Sequence, residues 1–160
     1  MATMGIDLRV KTLDEAATLP RYETADASGM DLRFVAWRRP DDAPTERRRG
    51  VMDLGAGERA QCFTGLAFEV PAGLEMQIRP RSGLSLRHGL VATLGTIDAD
   101  YRGEVSITLA NLSDESVRVE PESRIAQAVL APVVRARIVV VDALSETERG
   151  SGGFGSTGVR

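Results

Sequence analysis

Apolar and polar residues alternate with a period of two over several stretches of the chain. Ile6, Leu8 and Val10 alternate with Asp7, Arg9 and Lys11, and Leu66, Phe68 and Val70 with Ala67 and Glu69. Leu74, Met76 and Ile78 alternate with Glu75, Gln77 and Arg79, and Val105, Ile107 and Leu109 with Glu104, Ser106 and Thr108. This period belongs to strands with one face in a core and the other in water. The β-branched run Ile138–Val141 predicts a strand buried on both faces. Turn signals separate these runs at Pro71-Ala72-Gly73, Asp100-Tyr101-Arg102-Gly103 and Asn111-Leu112-Ser113-Asp114. Short strands at near-regular spacing predict an all-β barrel or jelly-roll sandwich. Helix is confined to two places: one or two turns over Leu13–Leu19 with Thr12 as N-cap, and a short helix over Ser82–Arg87 after Pro80. Arg38–Gly50 crowds charges around Pro40 and Pro44 without any apolar period. It reads as an exposed, solvated insertion, with a basic docking patch as the sharper alternative.

Length and composition narrow the picture. At 160 residues and 17.2 kDa the chain has the size of one domain, and 42% hydrophobic with 27% charged residues is an ordinary globular balance. Ala128–Val134 and Ile138–Val141 are too short to span a bilayer, which takes ~20 apolar residues. Asp7 and Arg9 interrupt the N-terminal apolar run, so no signal peptide is expected there. A net charge of −3 gives no reason to expect nucleic-acid binding, and any anion must be caught locally. Lys11 is the only lysine, which leaves none for Schiff-base or P-loop chemistry. With one cysteine, Cys62, and one histidine, His88, neither a disulfide nor a structural zinc site is expected, and a cytoplasmic, reducing setting is the economical reading.

Three segments carry possible chemistry. Arg149 to Gly158 holds five glycines around Phe154. It is either a frayed tail or a flap whose ring stacks on a flat ligand while Arg149 and main-chain N–H groups meet phosphates. Gly153 to Gly158 fits G-x-G-x-x-G, but only Val159 and Arg160 follow, so no dinucleotide-binding helix can begin there. Pro80 to Ser85 ends a strand and opens the short helix, so that Arg81, Ser82 and free N–H groups converge on an anion, or serve only as a surface ion pair and an N-cap. Gly95 to Val105 places Asp98, Asp100 and Tyr101 at the mouth of a hairpin, where Asp98 is a turn-former or a base.

Five segments taken in order resemble the trimeric deoxyuridine triphosphatase (dUTP diphosphatase) family: Ala27 to Leu32, Pro80 to Ser85, Gly95 to Val105, Arg124 to Gln127, and Arg149 to Gly158. The resemblance implies a jelly-roll subunit with one short helix, formed by residues 1–148. It also implies a flexible glycine-rich arm, residues 149–160, that closes a neighbouring subunit's site in a homotrimer. The implied reaction is hydrolysis of dUTP to dUMP and pyrophosphate, which limits uracil in DNA and supplies dUMP for dTMP synthesis. Asp98 is then the base acting on the water that attacks the α-phosphorus, and Tyr101 packs against the deoxyribose. Arg81, Ser82, Gly83 and Gln127 bind the phosphate region. Arg149, Phe154, Gly155, Ser156 and Thr157 belong to the arm, with Phe154 over the uracil and Arg149 on the terminal phosphate. The implied cofactor is Mg²⁺ bridging the three phosphates, with Asp31 reached through water. The implied partners are dUTP and two further copies of the chain, with no nucleic acid and no membrane.

This sequence departs from the family pattern at three points. Met30 replaces a frequent aromatic, Glu122-Ser123 replaces a usual Gly-Asp turn, and Gly89 to Gly95 contains no Asn, so that uracil would be read by main-chain groups. Two rival readings are a deoxycytidine triphosphate deaminase, which shares the fold but lacks this arm and the tyrosine, and a non-catalytic nucleotide-binding or regulatory relative that docks through residues 38–50.

Overall fold

The computed structural model describes residues 5–152. Among them are eleven strands and one helix: β1 (Arg9–Thr12), β2 (Met30–Arg33), β3 (Ala36–Arg38), β4 (Met52–Leu54), β5 (Arg59–Glu69), β6 (Leu74–Arg79), α1 (Ser82–His88), β7 (Leu90–Ala92), β8 (Gly95–Ile97), β9 (Glu104–Asn111), β10 (Val117–Val119) and β11 (Arg124–Pro132). The expected all-β class is therefore found. One sheet has the order β1-β5-β9-β7, with β3 also on β5; a second has the order β2-β11-β6-β8; β10 and β4 form a small third sheet. Every pairing is antiparallel. Alternation explains the layering most plainly in β9, where Val105, Ile107 and Leu109 are buried while Glu104, Ser106 and Thr108 are half-exposed. Leu32 and Phe34, Met76 and Ile78, and Ile125 and Ala128 join them in one core. No helix among the described residues is long and apolar enough to cross a membrane.

The short helix after Pro80 forms as expected, ending at Gly89 in the left-handed conformation with its N–H on the Ser85 carbonyl. Two other expectations fail. Leu13–Leu19 is not helical: Thr12 lies in β1, and the Asp14 carboxylate accepts the Ala16 N–H while its carbonyl accepts that of Ala17, which closes a turn. Among the described residues Ile138–Val141 pairs with no strand, and it is exposed, as are Val134 and Leu144. A β-branched run signals strand propensity but does not say which sheet takes it. Arg38–Gly50 is largely exposed, as expected of a solvated loop, but its arginines are paired instead of forming an open basic patch. Arg39 pairs with Glu58 at 2.6 Å, Arg48 with Asp42 and Glu46, and Arg49 with Asp14 at 2.5 Å, while the Arg47 guanidinium sits 3.4 Å over the Phe63 ring. Reciprocal main-chain bonds between Trp37 and Arg48 close the loop.

The middle of β5 is broken by a bulge between Phe63 and Ala67, centred on Gly65 at φ +69°. Its N–H donates to Glu104 Oε1 at 2.8 Å and its carbonyl accepts the Leu13 N–H at 2.8 Å. A Cβ there would lie 2.8 Å from the Asp14 Cβ and 2.9 Å from the Ala17 Cβ. Gly57, at φ +72°, has nothing within 4 Å of such a Cβ. Gly57→Ala should therefore cost only the left-handed penalty of about 1–2 kcal/mol, whereas Gly65→Ala adds a steric clash to it. Thermal melts at one fixed protein concentration should rank Gly65→Ala well below Gly57→Ala, and equal melting temperatures would contradict the packing described for the bulge.

Candidate active site

Three neighbouring strands bring one group of side chains together. In the second sheet β11 lies between β2 and β6, and its Gln127 stands opposite Asp31 on one side and Arg79 on the other. Pro80 then stops the strand, and α1 begins with Arg81 as N-cap in extended conformation, without any side-chain capping bond. The Leu84 and Ser85 N–H groups turn back onto the Arg81 carbonyl, which leaves those of Ser82 and Gly83 for a ligand. The Arg81 guanidinium donates to Asp31 Oδ1 at 2.9 Å and to the Arg124 carbonyl at 3.1 Å, and Arg124 reaches Asp31 Oδ2 at 3.0 Å. Gln127 donates to the Pro80 carbonyl at 3.0 Å and lies across Gly29, where a Cβ would come within 2.5 Å of its amide oxygen.

These groups line an open cavity of about 480 Å³. Arg81, Arg87 and Arg124 face it against the carboxylates of Asp31 and Glu23, so the cavity is net positive. Arg21 hydrogen-bonds Glu23 and holds its carboxyl below the ordinary range, with Arg124 adding to the effect, so this carboxylate is ionised at neutral pH. Arg124 was not among the residues predicted for the site. The signal was present, since it stands three residues before Gln127 at the head of β11, but the β-bulge between Arg124 and Ala126 that turns it toward Asp31 is invisible to periodicity.

Asp98 and Tyr101 lie elsewhere. β6 pairs with β8 so that Met76 faces Ile97 and Ile78 faces Gly95, which sets Asp98 beside Glu75. Arg81 is six residues further along an extended chain, roughly 20 Å away at ~3.3 Å per residue. Asp98 instead lines a second cavity with Gly73, Glu75 and Arg135. The turn that carries it is closed by the Tyr101 N–H on the Asp98 carbonyl at 3.1 Å, and the Tyr101 hydroxyl donates to the Glu104 carbonyl at 3.1 Å. Arg149 lies in an exposed turn, and Phe154, Gly155, Ser156 and Thr157 fall outside the described residues. Cys62 is buried in β5, its thiol pushed up to about 12 by desolvation and so neutral and unreactive. Among the described residues no group of three metal-binding side chains occurs.

The dUTPase family model matches residues 51–158. The chain belongs to the dUTPase family. Among curated dUTPase relatives, the deoxyuridine 5′-triphosphate nucleotidohydrolase of Nautilia profundicola is 48% identical over 153 residues, covering 94% of this chain and 98% of that one. Its counterpart in Rhizobium etli is 50% identical over 147 residues, covering 91% and 88%. A Staphylococcus bacteriophage 80alpha dUTPase, solved as a point mutant with dUpNHpp, superposes with a TM-score of 0.80 at 27% identity, covering 96% of this chain and 99% of the phage chain. A mutant dUTPase from phage phi11, whose structure concerns the coordination of a structural Mg(II) ion, shares the fold at a TM-score of 0.74 and 20% identity, covering 88% of this chain and 100% of the phage chain.

Gly29→Ala tests the anion cavity locally. The new Cβ meets the Gln127 side chain first, at its amide oxygen, so the melting temperature should change little if the amide swings away. Pyrophosphate affinity, read by calorimetry, should fall by about 2–10-fold, the worth of one hydrogen bond.

Proposed function

We propose that the chain hydrolyses dUTP to dUMP and pyrophosphate at sites shared between subunits of a homotrimer of jelly-roll subunits. The carrying observation is the separation just described: Arg81, Ser82, Gly83, Gln127 and Asp31 meet at one end of β6, while Asp98 and Tyr101 stand at the other. A base must lie within about 3 Å of the proton it takes, or one water away. A single chain therefore cannot bring Asp98 to a phosphate held by Arg81, whereas the two ends can meet across a symmetric interface. The exposed apolar residues Val134, Ile138–Val141 and Leu144 also suit burial against another copy. The dUTPase relatives supply the substrate, and they favour this reading over deamination of dCTP or a catalytically idle binder.

In the assembled site, Arg81 and the Ser82 and Gly83 N–H groups hold phosphate oxygens by charge-assisted bonds, and Gln127 adds an amide donor. Asp31 keeps Arg81 and Arg124 in place for this contact. Asp98 from a neighbouring chain aligns the attacking water and takes its proton as the water oxygen bonds to the α-phosphorus. The bond from that phosphorus to the bridging oxygen breaks, and pyrophosphate leaves. Tyr101 packs against the deoxyribose where a 2′-hydroxyl would stand, and main-chain groups of residues 89–95 read the uracil edge. Arg149 and the segment Phe154, Gly155, Ser156 and Thr157 close over the nucleotide, with Phe154 on the base and Arg149 on the terminal phosphate.

The donor set fits Mg²⁺. A hard cation that takes waters and phosphate oxygens needs only one or two carboxylates, and the cavity offers Asp31, which would hold the ion through water. When bound, it neutralises charge on the triphosphate. The reading is that of a cytoplasmic nucleotide-pool enzyme.

Asp98→Asn should preserve dUTP-analogue affinity and lower turnover by ~10²–10⁴-fold, the range of general-base contributions. Unchanged turnover would remove Asp98 from the mechanism. Ending the chain at Glu148 should leave the trimer and its melting temperature nearly unchanged while turnover collapses, because the phosphates lose positioning and shielding from water. Full activity in the truncated protein would take Arg149 and Phe154 out of the site.

A further inference from the structure

The Tyr101 ring is set by its own chain. It lies across Gly103, where a Cβ would come within 2.3 Å of the phenolic oxygen, and its hydroxyl is tied to the Glu104 carbonyl. The direction of that carbonyl depends on how Glu104 is fixed, and its side chain adds a second anchor to its ladder pair with Ala67. Oε1 accepts the Gly65 N–H in the β5 bulge at 2.8 Å, and Oε2 lies 4.0 Å from Arg47, the guanidinium stacked on Phe63. The bulge itself is anchored on its far side by the Leu13 N–H. It is also the one place where the β5–β9 ladder shifts register, between the pairs Phe63–Ser106 and Ala67–Glu104. Glu104 is the first β9 residue to pair beyond that shift, opposite Ala67, so its main chain meets the ladder just where its side chain meets the bulge.

We propose that Glu104 is a positioning residue for sugar discrimination. It fastens the Asp98–Gly103 turn to the β5 bulge and thereby holds the Tyr101 ring in the space a 2′-hydroxyl would need. The charged loop 38–50 supports it through Arg47. The proposal rests on Tyr101 being the group packed against the deoxyribose.

The test is the ratio of kcat/KM for UTP to that for dUTP in wild type and in Glu104→Ala, Glu104→Gln, Tyr101→Phe and Tyr101→Ala. Glu104→Ala should raise the ratio about tenfold, the low end of what a pocket contact contributes to specificity. Glu104→Gln keeps an acceptor for the Gly65 N–H and should stay within about twofold of wild type. Tyr101→Phe keeps the ring but loses the bond to the Glu104 carbonyl, so it should move the ratio in the same direction as Glu104→Ala, and it serves as the test if Glu104→Ala does not fold. A merely structural Glu104 would lower both substrates together and leave the ratio fixed. If Tyr101→Ala raises the ratio while Glu104→Ala and Tyr101→Phe do not, the positioning role is overturned and the steric role of Tyr101 stands. If Tyr101→Ala itself leaves the ratio fixed, the reading of Tyr101 falls, and the proposal with it.

Discussion

The antiparallel ladder around β6 constrains everything else in the site. On one side β11 fixes Gln127 against Arg79 and, through β2, brings Asp31 within reach of Arg81; on the other, β8 fixes Asp98 beside Glu75. Extended backbone does not shorten, so the phosphate-binding end and the carboxylate end stand roughly 20 Å apart on any one subunit. On the proposed mechanism, which needs both ends, the site must be completed by another copy, and that requirement would link the fold to the oligomer and the oligomer to catalysis.

At the phosphate end, geometry matters more than the strength of any pair. Asp31 is shared by two guanidiniums, with its side chain 12% exposed against 27% for Arg81 and 39% for Arg124. Ion pairs this open to water add little to stability, of order 0–1 kcal/mol each. Their effect is to hold two arginines in fixed directions beside the uncapped start of α1, which on the proposed function leaves less ordering to be done when phosphate binds. The approach to Arg124 shows a related compromise. Glu122 stands at φ +60°, the only non-glycine at positive φ among the described residues, where the family commonly has Gly-Asp. Its carbonyl accepts from Arg33 and its carboxylate from the Thr18 hydroxyl at 2.5 Å, bonds that offset part of the left-handed strain.

Much of this was legible in the sequence where a strand keeps one period along its length, which the longest strand, β5, does not. β6 and β9 announce themselves by strict alternation, and α1 by the proline before it and the glycine after it. The strands of three residues, β3, β4, β7, β8 and β10, are too short for a period to show, and they exist because a neighbouring strand offers them a ladder. Ile138–Val141 has strand composition but no partner among the described residues, a fact that only tertiary structure reveals. In the site, Arg81, Ser82, Gly83, Gln127 and Asp31 were found through motif order, and the fold brings them to the wall of one cavity. Arg124 was missed because a bulge turns it, where side-chain direction departs from alternation, and the bond from Glu104 to Gly65 was missed because the β5 bulge that offers the N–H leaves no period in the sequence.

Mixing two inactive variants tests the shared site most directly. Arg81→Ala and Asp98→Asn chains, unfolded together in equal amounts and refolded, form trimers of mixed composition. If each site takes Arg81 from one chain and Asp98 from the next, ~1/4 of the sites in a random mixture carry both native residues, by the statistics of a closed symmetric ring. Dilute-substrate turnover should then recover to about a quarter of the wild-type value, far above either variant refolded alone. Recovery no greater than the average of the two separate variants would mean that both residues serve the same chain, and would contradict a site divided between the ends of β6.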